Sequence, residues 1–433
     1  MQALLSFDQS PPLAAPLRFF LTAPWFAVLA GVLLWSEGAT VFASRWMPSA
    51  LAATHLLTLG FMLMTMLGAL IQIFPVVAGA NMAHPLRLAR VVHGATSVGS
   101  LCLALAFLYS LPWLFALAGG LLLLAIAYFL GAAGLALRGQ GLANPTIRGL
   151  KLALFGLWVT LLLGLGLVGA LAGGWRLPWA GLTDLHAAWG LAGWSGTLLV
   201  AMAYVVVPMF QLTPGYPARE SQLLSPVLLL CLLLWSVALL FSAEQVVRLA
   251  EAGLALLGLL FAGRTLYLQA HRRRPRRDAL AAYWQSGMLA AILACGMLLT
   301  AAIAPALAQQ RAWPLVFAVL LVAGAFMSFI NGMLYKIIPF LGWLHLQNAG
   351  RGTAPPMAKL MPEAPALRQW WLHQLALLTL LLAALWPESF ARLAGFCWVL
   401  ANAALGWNLW QAARRYRQYR PAPMASGQGG GVA

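Results

Sequence analysis

Residues 54–79 read THLLTLGFMLMTMLGALIQIFPVVAG, a long apolar run opened by a histidine and closed by a proline. Crossing ~30 Å of hydrocarbon takes about 20 apolar residues, so this is a membrane-spanning helix and not a buried helix of a soluble core. His55 then sits at one membrane edge and Pro75 near the other. A histidine in that place is either a helix-end side chain facing interfacial water or a functional group, because an ionisable side chain left unpaired in lipid is costly.

The same character runs through the chain. It has 433 residues, 62% hydrophobic and 8% charged, whereas about a quarter of the residues in soluble domains are charged. Apolar runs separated by Arg, Pro and Gly clusters give twelve predicted spans, near 17–37, 50–75, 90–110, 112–137, 148–172, 184–208, 221–241, 245–268, 279–303, 313–340, 369–386 and 388–412. A transmembrane barrel would show ten-residue alternating segments instead, so the expected fold is all-α. A short leader (1–16) precedes the membrane domain (17–412). A cytoplasmic tail (413–433) follows it, basic at first and then, from Pro421 to Ala433, Gly- and Pro-rich and expected to be disordered. The polar leader and the length of the first run argue against a cleaved signal peptide.

A net charge of +17 raises the question of nucleic acid, and the placement of the charge answers it. With both termini cytoplasmic, only Arg45, Arg176, Arg248, Arg311 and Arg392 fall on the outer side, leaving 21 of the 26 basic residues inside. That asymmetry is the positive-inside rule. The Arg run at 272–277 reads as a topology determinant and a contact for lipid headgroups, and no nucleic-acid partner is expected. Cys102, Cys231, Cys295 and Cys397 all lie inside spans without CxxC spacing, so neither a disulfide framework nor a zinc site is implied.

The closing motif LGALIQIFPVVAG (67–79) has counterparts in LVAMAYVVVPMFQLTP (199–214) and INGMLYKIIPFLGWLHL (330–346). The prolines, Pro75, Pro208 and Pro339, fall 133 and 131 residues apart, and each interval holds four spans. A small residue stands seven before each proline (Gly68, Ala201, Gly332), and two copies carry a tyrosine four before it (Tyr204, Tyr335). The pattern predicts a threefold repeat of a four-helix unit, with spans two, six and ten equivalent and each ended by its proline. Paired halves, as in most secondary carriers, are not the pattern seen.

His55 and His186 open the second and sixth spans, 20 and 22 residues before their prolines; the tenth span has no counterpart. Met62 and Met66 stand seven and eleven residues after His55, one face of an α-helix, and Gly190 and Gly193 lay a smooth stripe after His186. Imidazole and thioether ligands suit haem iron and copper, and a flat macrocycle needs a face without bulk. Taken alone, methionines at this spacing favour ordinary gap-filling packing. Asp184, two before His186, is placed to orient it or to stand as a solvated cap. His93, His345 and His373 are expected near the cytoplasmic ends of their spans, where they would line a second site with Tyr335 and Lys336.

Twelve helices, inner termini, a threefold four-helix repeat and histidines opening helices two and six resemble the catalytic subunit of haem-copper oxidases and nitric oxide reductases. Related to these are haem- and copper-containing (NnrS-like) membrane proteins of nitric oxide metabolism. The resemblance implies that His55 is an axial haem ligand and His186 a copper ligand. It also implies a bacterial inner membrane, a place beside the respiratory chain and an electron-transfer partner. The departures are equally specific. Residues 221–241 lack the paired copper-binding histidines, residues 313–340 lack the two haem-ligating ones, and Gly190 stands where many oxidases have a tyrosine. Four-electron oxygen reduction is therefore not expected. The expected role is non-oxidase binding of haem or copper near the outer face, for electron transfer, sensing or handling of nitric oxide or metal. A polytopic transporter and a cofactor-free scaffold subunit are the competing classes.

Overall fold

A computed structural model describes residues 10–273, 278–348 and 354–420. Among these the protein is helical, and eleven helices are long and apolar enough to cross a membrane. In chain order they are α1 (Ala14–Phe42), α2 (Pro48–Ala78), α3 (Pro85–Tyr109), α4 (Pro112–Ala136), α5 (Pro145–Gly173), α6 (Trp179–Gln211), α7 (Ala218–Leu240), α8 (Glu244–Ala270), α9 (Ala279–Ile303), α10 (Ala312–Asn348) and, last, α12 (Pro387–Tyr419). Between α10 and α12 lies a further helix, α11 (Glu363–Leu385), whose sequence is less apolar. The tail from 421 onward and Arg274, Arg276 and Arg277 of the basic run lie outside the described residues.

Local sequence sets the helix starts. Proline occupies the first turn of α2, α3, α4, α5 and α12, where a missing N–H costs no hydrogen bond. Asn144 caps α5 through the amides of Thr146 and Ile147, and Asp278 caps α9 through that of Ala281. Exposed tryptophans mark one membrane interface: Trp35, Trp46, Trp113, Trp175, Trp179 and Trp386 all stand at the end of the molecule where α2 and α6 begin.

Helices adjacent in sequence pack side by side, and α12 closes against α1. The first helix also touches the third at α1–α3, α5–α7 and α9–α11. α2, α6 and α10 meet on the inside, where their proline-bearing ends enclose an apolar cavity of about 50 Å³ lined from all three helices. The prolines do not end these helices, contrary to the sequence expectation. α2 and α6 run three residues past Pro75 and Pro208, and α10 runs nine past Pro339. Neighbouring helices in a bundle tolerate the backbone bond that proline removes.

Each of the three inner helices contains an eight-residue π-helical segment, Leu56–Leu63, Trp189–Gly196 and Val319–Phe326. They begin 19, 19 and 20 residues before the respective prolines. Where each segment ends, the N–H of Met64, Thr197 or Met327 reaches the carbonyl five residues back, at Leu59, Ala192 or Val322. A second small position accompanies the one seven before the proline: at fifteen before, all three copies have glycine, Gly60, Gly193 and Gly324. A Cβ on Gly60 would strike Phe26 of α1 at 2.3 Å, and one on Gly324 would come within 2.8 Å of the Ala290 Cβ of α9. The Gly193 carbonyl lies 2.3 Å from where Gly156 of α5 would carry a Cβ. One level lower, Gly68 meets Phe19, Ala201 meets Gly149, and Gly332 meets Tyr283. Each inner helix is thus pressed at two levels onto the helix preceding it.

These contacts make a prediction. Gly156→Ala places a methyl against a backbone carbonyl that cannot move aside, and should destabilise the protein by about 1–3 kcal/mol. Gly131→Ala, in open space on α4, should be neutral or stabilising by up to about 1 kcal/mol. Thermal unfolding in detergent compares the two, and equal midpoints would contradict this packing.

Candidate functional site

His55 and His186 are held by the same device. His55 Nδ1 donates to the Leu51 carbonyl one turn back (2.8 Å). His186 Nδ1 donates to the Thr160 carbonyl of α5 (3.1 Å). A carbonyl only accepts, so the proton of each neutral ring is fixed on Nδ1 and the lone pair on Nε2. Neither Nε2 has a hydrogen-bond partner among the described residues. Both rings stand at the same level of the bundle, at the end where α2 and α6 begin, His55 next to its π-segment and His186 three residues before its own. Phe107 of α3 stacks on His55 at 5.2 Å between centroids, and Gly164 of α5 leaves room for the His186 ring, whose Cε1 would lie 3.0 Å from a Cβ there. The site therefore lies among α2, α3, α5 and α6. At its edge, Arg45 and Asp184 form a half-exposed ion pair (2.5 Å) tying the α1–α2 connection to the start of α6.

Several sequence expectations change. His55 and His186 are not equivalent positions: His55 immediately precedes its π-segment and His186 stands three residues before its own. The two residues of difference turn the side chains roughly 200° apart in the local frame, which is how they approach from different helices. Asp184 does not orient His186; it is taken by Arg45, and the Thr160 carbonyl does the orienting. Met62 and Met66 are buried in the apolar core. The π-segment that begins directly after His55 inserts an extra residue into the turn. Each inserted residue rotates the remainder of the helix by about 100°, so the one-face spacing fails. The Gly190–Gly193 stripe is likewise filled: Gly193 receives Gly156 of α5, and a Cβ on Gly190 would meet the Thr160 methyl at 3.3 Å.

The inner histidines do not converge. His93 bonds the Thr22 hydroxyl of α1 (2.9 Å) with its ring edge-on to Phe19. His345 lies beyond Pro339 and bonds the carbonyls of Leu341 and Pro11. His373 is not at a helix end: it is the eleventh residue of α11, fully buried, bonded to Ser328 (3.1 Å) and packed between Tyr283 and Trp398. Tyr335 belongs with His373 through Tyr283, whereas Lys336 makes no hydrogen bond or ion pair among the described residues. No cluster of three or more His, Cys, Asp or Glu side chains suited to a metal is found among the described residues. Asn408, which bonds Tyr335, and Tyr283 with its neighbours Asn331 and Gln369 are not singled out by the sequence expectations. Their signal is the i, i+3, i+7 spacing of Ser328, Asn331 and Tyr335 on one face of an apolar helix.

Comparison with protein-family models and with curated proteins finds no match for this chain.

The ion pair at the edge predicts a small effect. Both partners are about 40% exposed, so Asp184→Asn should lower stability by less than about 1 kcal/mol. That difference should vanish at high salt, where exposed charges are screened. Thermal unfolding at two ionic strengths reads this out; a large, salt-independent loss would mean that Asp184 does more than pair with Arg45.

Proposed function

We propose that the protein is a non-oxidase membrane protein that holds a copper ion between His55 and His186, for electron transfer or for sensing or handling of copper or nitric oxide. The observation that carries this reading is the pair of rings with Nδ1 fixed to a backbone carbonyl and Nε2 left as the donor. Ligating histidines have this arrangement, since the bond made by one ring nitrogen fixes the tautomer and aims the other. Two neutral imidazoles from different helices suit copper among the biological metals. The chain itself contributes orientation. Leu51 and Thr160 hold the rings, Phe107 stacks on His55, Gly164 of α5 makes room for His186, and the Arg45–Asp184 pair ties the two helix starts together. Copper bound there supplies one-electron chemistry.

A haem fits these residues less well, because the glycine surface beneath His186 is occupied by α5. Haem on His55 alone is the second reading. Twelve spans in three four-helix arcs with cytoplasmic termini, in a bacterial inner membrane, remain part of the proposal. The three π-segments, the paired small positions and the α12–α1 closure support the arcs, and the distribution of basic residues supports the orientation. That packing order also favours this reading over a two-halved transporter.

The test is metal content and the electronic spectrum of purified protein. About one copper per chain is expected, reduced at least tenfold in His55→Ala and in His186→Ala and unaffected in Met62→Leu. Protein without stoichiometric copper, or copper retained by the double histidine variant, overturns the proposal; a haem absorption band lost in His55→Ala would establish the second reading.

A further inference from the structure

The interior enclosed by α9–α12 contains a column of polar side chains that the histidine site does not use. Its lower end lies where α11 begins: Asn408 of α12 donates to the Pro365 carbonyl (3.3 Å) and to the Tyr335 hydroxyl (2.9 Å). Tyr335 stacks on Tyr283 of α9 at 6.2 Å, and Tyr283 donates to the Gln369 side chain of α11. Gln369 in turn donates to the Ala401 carbonyl of α12 (3.0 Å). Above these come Asn331, with the Tyr283 hydroxyl beside it, and then Ser328 bonded to His373 Nε2. His373 is eight residues, about 12 Å, deeper than Pro365. The column thus runs from the proline end of the bundle to its middle.

Two features separate this column from ordinary helix packing. Asn331 is fully enclosed, yet neither of its amide atoms reaches hydrogen-bond geometry with a protein partner, and His373 Nδ1 faces the Ala323 carbonyl without reaching it either. Buried polar atoms are ordinarily met by protein or by water, and a water needs two to four such partners. The unsatisfied atoms here lie within one continuous polar file, as a chain of water requires. The full set is present in one unit, and its middle amide is what the others lack. At the positions of Ser328, Asn331 and Tyr335, α2 has Met64, Leu67 and Ile71, whereas α6 has Thr197, Val200 and Tyr204. The ionisable group facing His373 is Tyr283 from α9; α10 offers Ser328 and a carbonyl, and α12 offers Trp398.

We propose that the Asn408–Tyr335–Tyr283–Gln369–Asn331–Ser328 column is a hydrated path that delivers protons from the proline end of the α9–α12 unit to His373. The hydroxyls of Tyr335, Tyr283 and Ser328 both donate and accept, so they pass a proton along the file, and the Asn331 and Gln369 amides hold the intervening water. On α10 nothing above His373 continues the file: the next turns present Val322, Ala325 and Phe326, and Thr379 of α11 bonds only carbonyls of its own helix. The path therefore ends at the imidazole, which takes and returns a proton without conducting it across.

Deuterium exchange at the imidazole C2–H, read by peptide mass spectrometry on the full chain in lipid nanodiscs, tests this. That exchange proceeds through the protonated ring, so it reports protonation from water and not mere exposure. In the wild type, His373 is expected to exchange within tenfold of the exposed His84 despite its complete burial. Asn331→Leu is expected to slow His373 at least tenfold with His84 and His271 unchanged, and a cooperative thermal unfolding transition of the variant in the same nanodiscs certifies that it is folded. Absence of exchange at His373 while His84 completes its own overturns the proposal on wild-type protein alone, and so does an unchanged rate in a folded Asn331→Leu. The His55→Ala, His186→Ala double variant is expected to leave the His373 rate unaltered, which keeps this outcome separate from that of the copper site.

Discussion

Close approach of helix backbones is the constraint on which the architecture rests. In hydrocarbon, burying one leucine against another gains little over leaving it in lipid, so helices associate where small residues allow many van der Waals contacts at short range. Gly156 against the Gly193 backbone, Gly149 against Ala201 and Gly324 against Ala290 are such contacts. Each fixes the rotation and depth of an inner helix relative to the helix before it. The places of His55, His186 and the polar column depend on that registration.

The π-segments complete the same design. An extra residue in a helical turn lets the small positions seven and fifteen before each proline face one neighbour while side chains beyond the segment point elsewhere. It also releases the carbonyls of Gly60, Gly193 and Ala323 from the N–H that an α-helix would give them. Such segments are concentrated where a helix carries function. In α2 the insertion directly succeeds His55, and in α10 it brings the Ala323 carbonyl toward His373.

Much of this is legible in the sequence, and the remainder is hidden for physical reasons. Hydropathy and length mark the helices, because a membrane demands a run of apolar residues that nothing else requires. The three prolines and the small residues seven before them mark the inner helices; the glycines fifteen before are equally visible once the copies are aligned. Faces are misread wherever the periodicity changes. Aligning Met62 and Met66 with His55 assumes 3.6 residues per turn across a stretch that is not an α-helix. Gly190 and Gly193 read as room for a ligand when they are room for α5, a distinction that depends on tertiary contacts. His373 reads as too near the membrane edge because Glu363 and Arg368 make the first turns of α11 look like loop, whereas the helix starts at Glu363.

The length of α10 has a mechanical meaning. Its 37 residues make a rod about 55 Å long, against ~30 Å of hydrocarbon. At one end Arg311 is anchored to the carbonyls of Phe42 and Leu385, and far past Pro339 His345 is anchored to Pro11. Both anchors join α10 to the flanks of other helices, and Pro339 lies between them as the point where the ladder of backbone bonds is weakest. α10 is thus fixed at both ends: the stretch between the anchors carries one side of the polar column, and the last turns beyond Pro339 are held by the segment that leads into α1.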